Sequence, residues 1–94
     1  MYTVYSKFGC PFCEKIKNIL NLAYQSERGN STYAYVDNLT ILQLGVDFTK
    51  EEFYKKFGNG STFPQVILNE DSAESIKLGG CMDTVKYLKE NNII

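Results

Sequence analysis

Two cysteines three positions apart, Cys10 and Cys13, stand in the stretch SKFGCPFCEKIK with Pro11 and Phe12 between them. That spacing serves a structural staple, half of a metal site, or a pair that cycles between dithiol and disulfide. The chain holds three cysteines and no histidine. An odd count rules out full pairing within one chain. The third thiol, Cys81, still leaves an intramolecular zinc site short of its usual four ligands, so no metal is expected within one chain. Without histidine there are no Cys-His nucleophile pairs and no histidine bases or metal ligands. The chemistry must run mainly on thiols and backbone groups.

The elements around the pair favour a redox role. Met1 to Ser6 is rich in β-branched and aromatic residues and predicts a strand, followed by a loop over Lys7 to Gly9. From Pro11 the apolar period becomes helical, with Phe12, Ile16, Ile19, Leu20 and Ala23 recurring among charged and polar residues. Pro11 suits the first helical position, where its missing N–H is no loss, and the breaker run Arg28-Gly29-Asn30-Ser31 predicts the end. The thiols therefore lie at a strand-to-helix junction. Unpaired N–H groups and the helix dipole stabilise negative charge there, and can bring a thiol well below its free value of about 8.5. Lys7 adds positive charge. Cys10, outermost, is expected to be the exposed nucleophile, and Cys13, one turn in, the buried resolving thiol. At i and i+3 their sulfurs face one side and can bridge.

Along the rest of the chain, Thr32 to Val36 predicts a second strand. The segment Asp37 to Asp47 reads equally as a short helix, a strand or a packed loop. Thr49 with Glu52 three residues on forms a capping box, with Phe48 and Phe53 at staple positions and Gly58 as the stop. Gln65 to Leu68 predicts a third strand, Glu74 to Leu78 a fourth, and a last helix follows Gly79-Gly80 and ends by Asn92. The order β-α-β-α-β-β-α over residues 1–94 describes a single α/β domain with a mixed sheet. A net charge of −1 and no basic run argue against nucleic acid, and no apolar stretch approaches a membrane span. The start, MYTVYSK, lacks the pattern of a signal peptide, so a cytoplasmic setting with reduced thiols is expected.

Three motifs in order, Cys-Pro-Phe-Cys at 10–13, Thr-Phe-Pro-Gln-Val at 62–66 and Gly-Gly-Cys-Met-Asp at 79–83, give the chain its resemblance to the glutaredoxins, the dithiol branch of the thioredoxin-fold superfamily. The resemblance covers nearly the whole chain and implies a four-stranded mixed sheet flanked by helices. It implies Cys10 as nucleophile and Cys13 as resolving thiol. It also implies a cis peptide bond before Pro64, where the backbone of Phe63 pairs with the cysteinyl unit of glutathione in the manner of an added strand. The γ-glutamyl end of glutathione would dock at the start of the last helix, its carboxylate on the backbone of Met82 and its ammonium group on Asp83. Lys7 would meet the carboxylate of the glycine end, and Phe12 would wall the site. Read alone, these residues have plainer roles: Pro64 a strand-edge proline, Asp83 a first-turn acid, Lys7 a solvated charge. Cys81 reads as a small, partly buried residue. The chain departs from the family at Phe63, where valine is more frequent, at Phe12, where many relatives carry tyrosine, and at Ser61, where many carry a cation.

The resemblance implies a glutathione-dependent thiol–disulfide oxidoreductase acting on protein disulfides and glutathione mixed disulfides. Glutathione is its co-substrate, no cofactor is tightly bound, ribonucleotide reductase is one client, and a monomer is expected. Besides a noncatalytic interaction module, which requires idle thiols, two rivals stand beside it. One is a reductase recharged by thioredoxin reductase. The other is a carrier holding an iron–sulfur cluster between two chains with glutathione, although that branch typically carries Cys-Gly-Phe-Ser.

Overall fold

The computed structural model describes residues 1–30 and 39–91, with the backbone alone over 24–30. Seven elements follow in the expected order: β1 (Tyr2–Ser6), α1 (Pro11–Asn30), β2 (Leu39–Gln43), α2 (Lys50–Phe57), β3 (Gln65–Leu68), β4 (Ile76–Gly79) and α3 (Cys81–Glu90). The sheet runs β2-β1-β3-β4. β1 pairs parallel with β2 and antiparallel with β3, and β3 pairs antiparallel with β4. The mixed sheet of the sequence reading is therefore present. Helices cover both faces of β1, which explains why all five of its residues are buried and not every second one.

The pleat sorts the side chains into two cores. Tyr2, Val4 and Val66 face Ile16, Leu20 and Ala23 of α1 and Cys81 and Leu88 of α3. Tyr5 and Ile67 point the other way, into an aromatic cluster with Phe48 and with Phe53 of α2. The buried stripe of α1 runs Cys13, Ile16, Leu20, Ala23, at helical spacing. Phe12, which the periodicity grouped with that stripe, is 56 % exposed.

Two strands depart from expectation. The unreadable segment 37–47 supplies β2, in register with β1 from Tyr2↔Leu39 to Ser6↔Gln43. The strand expected at Thr32–Val36 lies outside the described residues. β4 begins two residues later than Glu74. The Ser72 carbonyl accepts from Ser75 N–H at 3.1 Å and the Ser72 hydroxyl from Glu74 N–H at 3.0 Å, a turn that keeps both residues out of the ladder. A bulge between Val66 and Ile67 completes the pairing.

α2 starts as its sequence dictates. The Thr49 hydroxyl accepts from Glu52 N–H at 3.1 Å, and the Glu52 carboxylate accepts from Thr49 N–H at 2.8 Å. Phe48 stacks on Phe53 with ring centroids 5.9 Å apart, and Gly58, at φ 101°, ends the helix with its N–H on the Tyr54 carbonyl. Because α2 has only eight residues, this cap carries weight. Thr49→Ala should lower unfolding free energy by about 1 kcal/mol and Thr49→Ser by much less. Urea denaturation followed by far-UV circular dichroism measures both, and an unchanged midpoint in Thr49→Ala would contradict the cap's role.

Candidate active site

The loop leaving β1 turns at Gly9, at φ 69°, and delivers Cys10 to the head of α1. Cys10 caps that helix through its own sulfur. The Cys13 N–H donates to Cys10 Sγ at 3.1 Å, and the Cys10 carbonyl accepts from Glu14 N–H at 3.1 Å. The Cys13 N–H thus points at the outer sulfur, where it and the helix dipole favour negative charge. Cys10 and Cys13 are joined as a disulfide with Cα atoms 5.1 Å apart. Cys13 is wholly buried, as expected. Cys10 is only 6 % exposed, a correction to the expectation of an open nucleophile. With Gly9 and Pro11 it lines clefts open to solvent.

Two clefts meet at Phe63. The first, of about 570 Å³, takes in Lys7, Cys10, Lys50, Tyr54, Thr62 and Phe63. The second, of about 210 Å³, takes in Phe12, Phe63, Pro64, Cys81, Met82 and Asp83. All eight residues singled out in the sequence therefore lie on one of two adjoining clefts or, for Cys13, directly beneath. The Phe63–Pro64 bond is cis. Gln65 Nε2 donates to the Thr62 carbonyl at 2.9 Å and braces that turn. The Phe63 side chain is held from both sides. It stacks on Phe53 at 4.0 Å between centroids, and Lys7 Nζ lies over it at 5.3 Å, a cation–π contact that places the ammonium at the cleft. The Ser61 hydroxyl, where many relatives carry a cation, donates to the Phe57 carbonyl at 2.7 Å.

At the far end the N–H of Gly80 donates to the Asp83 carboxylate at 3.4 Å, and Thr84 returns both its N–H and its hydroxyl to the Gly80 carbonyl. Asp83 thus has the helix-start role that its sequence position suggested. Met82 is two-thirds exposed beside it. Burial raises the Cys81 thiol above its ordinary value, with Lys15 opposing, so this thiol is held protonated and less nucleophilic than an exposed one. Among the described residues no three potential ligands gather to hold a metal.

Lys50 and Tyr54 were missed. Lys50 Nζ lies 5.9 Å from the centre of the Tyr54 ring, so one turn of α2 presents both to the cleft. No local signal connects them to Cys10, since only the packing of α2 on the sheet brings them there. Phe8, 79 % exposed, was also passed over.

A buried disulfide between two cysteines three positions apart, at a helix N-terminus of this sheet topology, defines a thioredoxin-fold thiol–disulfide oxidoreductase. The family model for Glutaredoxin matches residues 2–73. The chain is 32% identical over 89 residues to a glutaredoxin of Vibrio cholerae, covering 94% of this chain and 90% of that protein. It is 29% identical over 90 residues to glutaredoxin 1 of Rickettsia prowazekii, covering 96% of this chain and 79% of that protein. The fold is similar to that of reduced Escherichia coli glutaredoxin, with a TM-score of 0.67 at 22% identity, covering 99% of this chain and 98% of that one. The chain belongs to the glutaredoxin family.

Proposed function

We propose that the protein is a glutathione-dependent reductase of protein disulfides and glutathione mixed disulfides, with Cys10 as nucleophile and Cys13 as resolving thiol. The observation that carries this reading is the Cys13 N–H donating to Cys10 Sγ at the head of α1, which stabilises the outer sulfur as a thiolate. In deglutathionylation the Cys10 thiolate attacks the glutathione sulfur of a mixed disulfide. The client thiolate leaves and takes a proton, and Cys10 carries the glutathione. A second glutathione thiolate displaces Cys10 and departs as glutathione disulfide, so two glutathiones supply the two electrons. A protein disulfide is instead opened by Cys10, and Cys13 releases the client as a dithiol.

The clefts complement the tripeptide. Lys7, with Lys50 across the same cleft, faces the glycine-end carboxylate. The Phe63 backbone beside Pro64 pairs with the cysteinyl unit. The backbone of Met82 and the carboxylate of Asp83 take the γ-glutamyl carboxylate and ammonium, while Phe12 forms a wall. We read it as a cytoplasmic monomer working in thiol redox homeostasis and electron transfer, with ribonucleotide reductase as one client, a client that the family resemblance supports.

The test is to trap Cys13→Ser as its glutathione mixed disulfide and map chemical-shift changes against the reduced variant. Changes at Lys7, Phe12, Thr62, Phe63, Met82 and Asp83 are expected. Changes that leave Met82 and Asp83 untouched would contradict this placement.

Gly79 gives a second handle. It sits at φ 103°, and a Cβ there would come 2.7 Å from Asp83 Oδ2. Gly79→Ala should therefore lower stability by about 1–3 kcal/mol. By displacing Asp83 it should also raise KM for glutathione mixed disulfides more than it lowers kcat. An unchanged KM in the folded variant would remove Asp83 from the binding site.

A further inference from the structure

Cys10 borders a third cleft, which shares no lining residue with the one that holds Asp83. It measures about 600 Å³ and is lined by Phe8, Gly9, Cys10, Pro11, Glu14 and Lys17. It shares only Gly9, Cys10 and Pro11 with the lysine-lined cleft, so the outer cysteine lies at the seam of the two. Their chemistry differs. The first carries Lys7 and Lys50 with no acid on its lining. In the third, Glu14 and Lys17 are paired with each other one helical turn apart, so its charges cancel. Its one large apolar side chain is Phe8, an aromatic ring 79 % exposed two residues before the nucleophile.

We propose that Phe8 is a specificity residue for polypeptide substrates. The third cleft takes an uncharged segment of the client and packs an apolar side chain next to the client's cysteine against the Phe8 ring. The occupant follows from the reaction. A sulfur that exchanges with Cys10 must arrive through a cleft that contains Cys10. A glutathionyl group, with two carboxylates, is drawn to the lysines. That leaves the neutral, apolar cleft to the polypeptide half of the same disulfide. The chemistry balances within the enzyme. The Cys10 thiolate bonds to one client sulfur as the client S–S bond breaks, and the departing client thiolate takes a proton from water. Cys13 then displaces the client sulfur. The client leaves as a dithiol, and its two electrons come from the Cys10–Cys13 dithiol.

The inference rests on exchange at Cys10 but not on glutathione, and its test omits glutathione. Pre-reduced protein is mixed with an excess of either of two peptides, each with one internal disulfide. One has leucine beside the attacked cysteine, the other serine, and release of peptide thiol is followed in a single turnover. Wild type should react several-fold faster with the leucine peptide. Phe8→Ser should lower the second-order rate constant for that peptide about tenfold, the scale of losing part of a buried aromatic contact. It should leave the serine peptide within about twofold, and Phe8→Leu should restore most of the loss. Equal slowing of both peptides, no slowing of either, or no preference in wild type would each overturn the proposal. If glutathione proves not to be the co-substrate, these rates still decide it.

Discussion

Cys10→Ser should bring turnover of a small glutathione mixed disulfide to the uncatalysed background, a loss of at least about a thousandfold, as expected when a nucleophile is removed. Cys13→Ser should keep most of that activity and lose reduction of internal protein disulfides. The asymmetry follows from position. Cys10 borders the clefts and accepts the Cys13 N–H in the first turn of α1, whereas Cys13 is wholly buried beneath it. A serine at position 10 retains the hydrogen bond but offers a hydroxyl with almost no anion at neutral pH. A hydroxyl at position 13 has to find a partner in a buried site, at about 1–3 kcal/mol if it finds none. Cys13→Ala therefore belongs in the same series, and both should be checked for folding by near-UV circular dichroism. Loss of deglutathionylation in a folded Cys13→Ala would contradict this division of roles.

The second large effect concerns the scaffold. Phe53 is 1 % exposed and touches Phe48, Tyr54, Phe57 and Phe63, the last stacked at 4.0 Å. Phe53→Ala should cost about 3–5 kcal/mol, through lost transfer free energy and the cavity left behind. A domain of this size holds only about 5–14 kcal/mol in all, so the variant should be close to unfolding at physiological temperature. Phe53→Leu should cost less than about 2 kcal/mol, because it keeps most of the volume. Phe8→Ala removes the same ring from an exposed position and should stay within about 0.5 kcal/mol. Urea midpoints with unchanged slopes measure all three. A Phe53→Ala loss under about 1 kcal/mol would mean that the aromatic cluster does not hold α2 on the sheet. Because Phe63 stacks on Phe53 and carries the Lys7 ammonium over its outer face, folded Phe53→Leu should also raise KM for glutathione mixed disulfides and nearly preserve kcat.

A long-range polar link joins Tyr5, Glu70 and Lys56. The Tyr5 hydroxyl donates to the Glu70 carboxylate, which pairs with Lys56 Nζ at 2.7 Å. Burial, and then the hydrogen bond and charge of Glu70, push the tyrosine well above its ordinary value, so it stays a neutral donor through the physiological range. It ties β1 to the turn after β3 and places no demand on the active site.

Local chemistry made much of this legible in the sequence. Thr49, Glu52, Phe48, Phe53 and Gly58 interact within a few residues of one another, and each does what its type and spacing predict. The thiol pair and its helix were equally local, since Pro11, Cys10 and Cys13 form one helical turn. β2 was harder. Its residues Leu39–Gln43 are only partly buried on the sheet edge and show no clear alternation, and their strand identity comes from parallel pairing with β1, far away in sequence. β4 was misplaced because Glu74 and Ser75 look extended, yet Ser72 holds them in a turn. Within the site, Lys50 and Tyr54 were invisible for the same reason as β2: they reach the cleft containing Cys10 only through the packing of α2. The exposure of Cys10 was misjudged because a residue at a helix head looks open in sequence, whereas here its sulfur is bonded to the wholly buried Cys13.

The most direct test of glutathione-dependent reduction is steady-state NADPH consumption by the wild-type protein with a small glutathione mixed disulfide. One reaction contains glutathione and glutathione reductase, and the other contains thioredoxin reductase alone. Robust turnover only with glutathione and its reductase, abolished in Cys10→Ser, is the predicted result. Turnover only with thioredoxin reductase, or none with folded, reduced protein in either reaction, would contradict it.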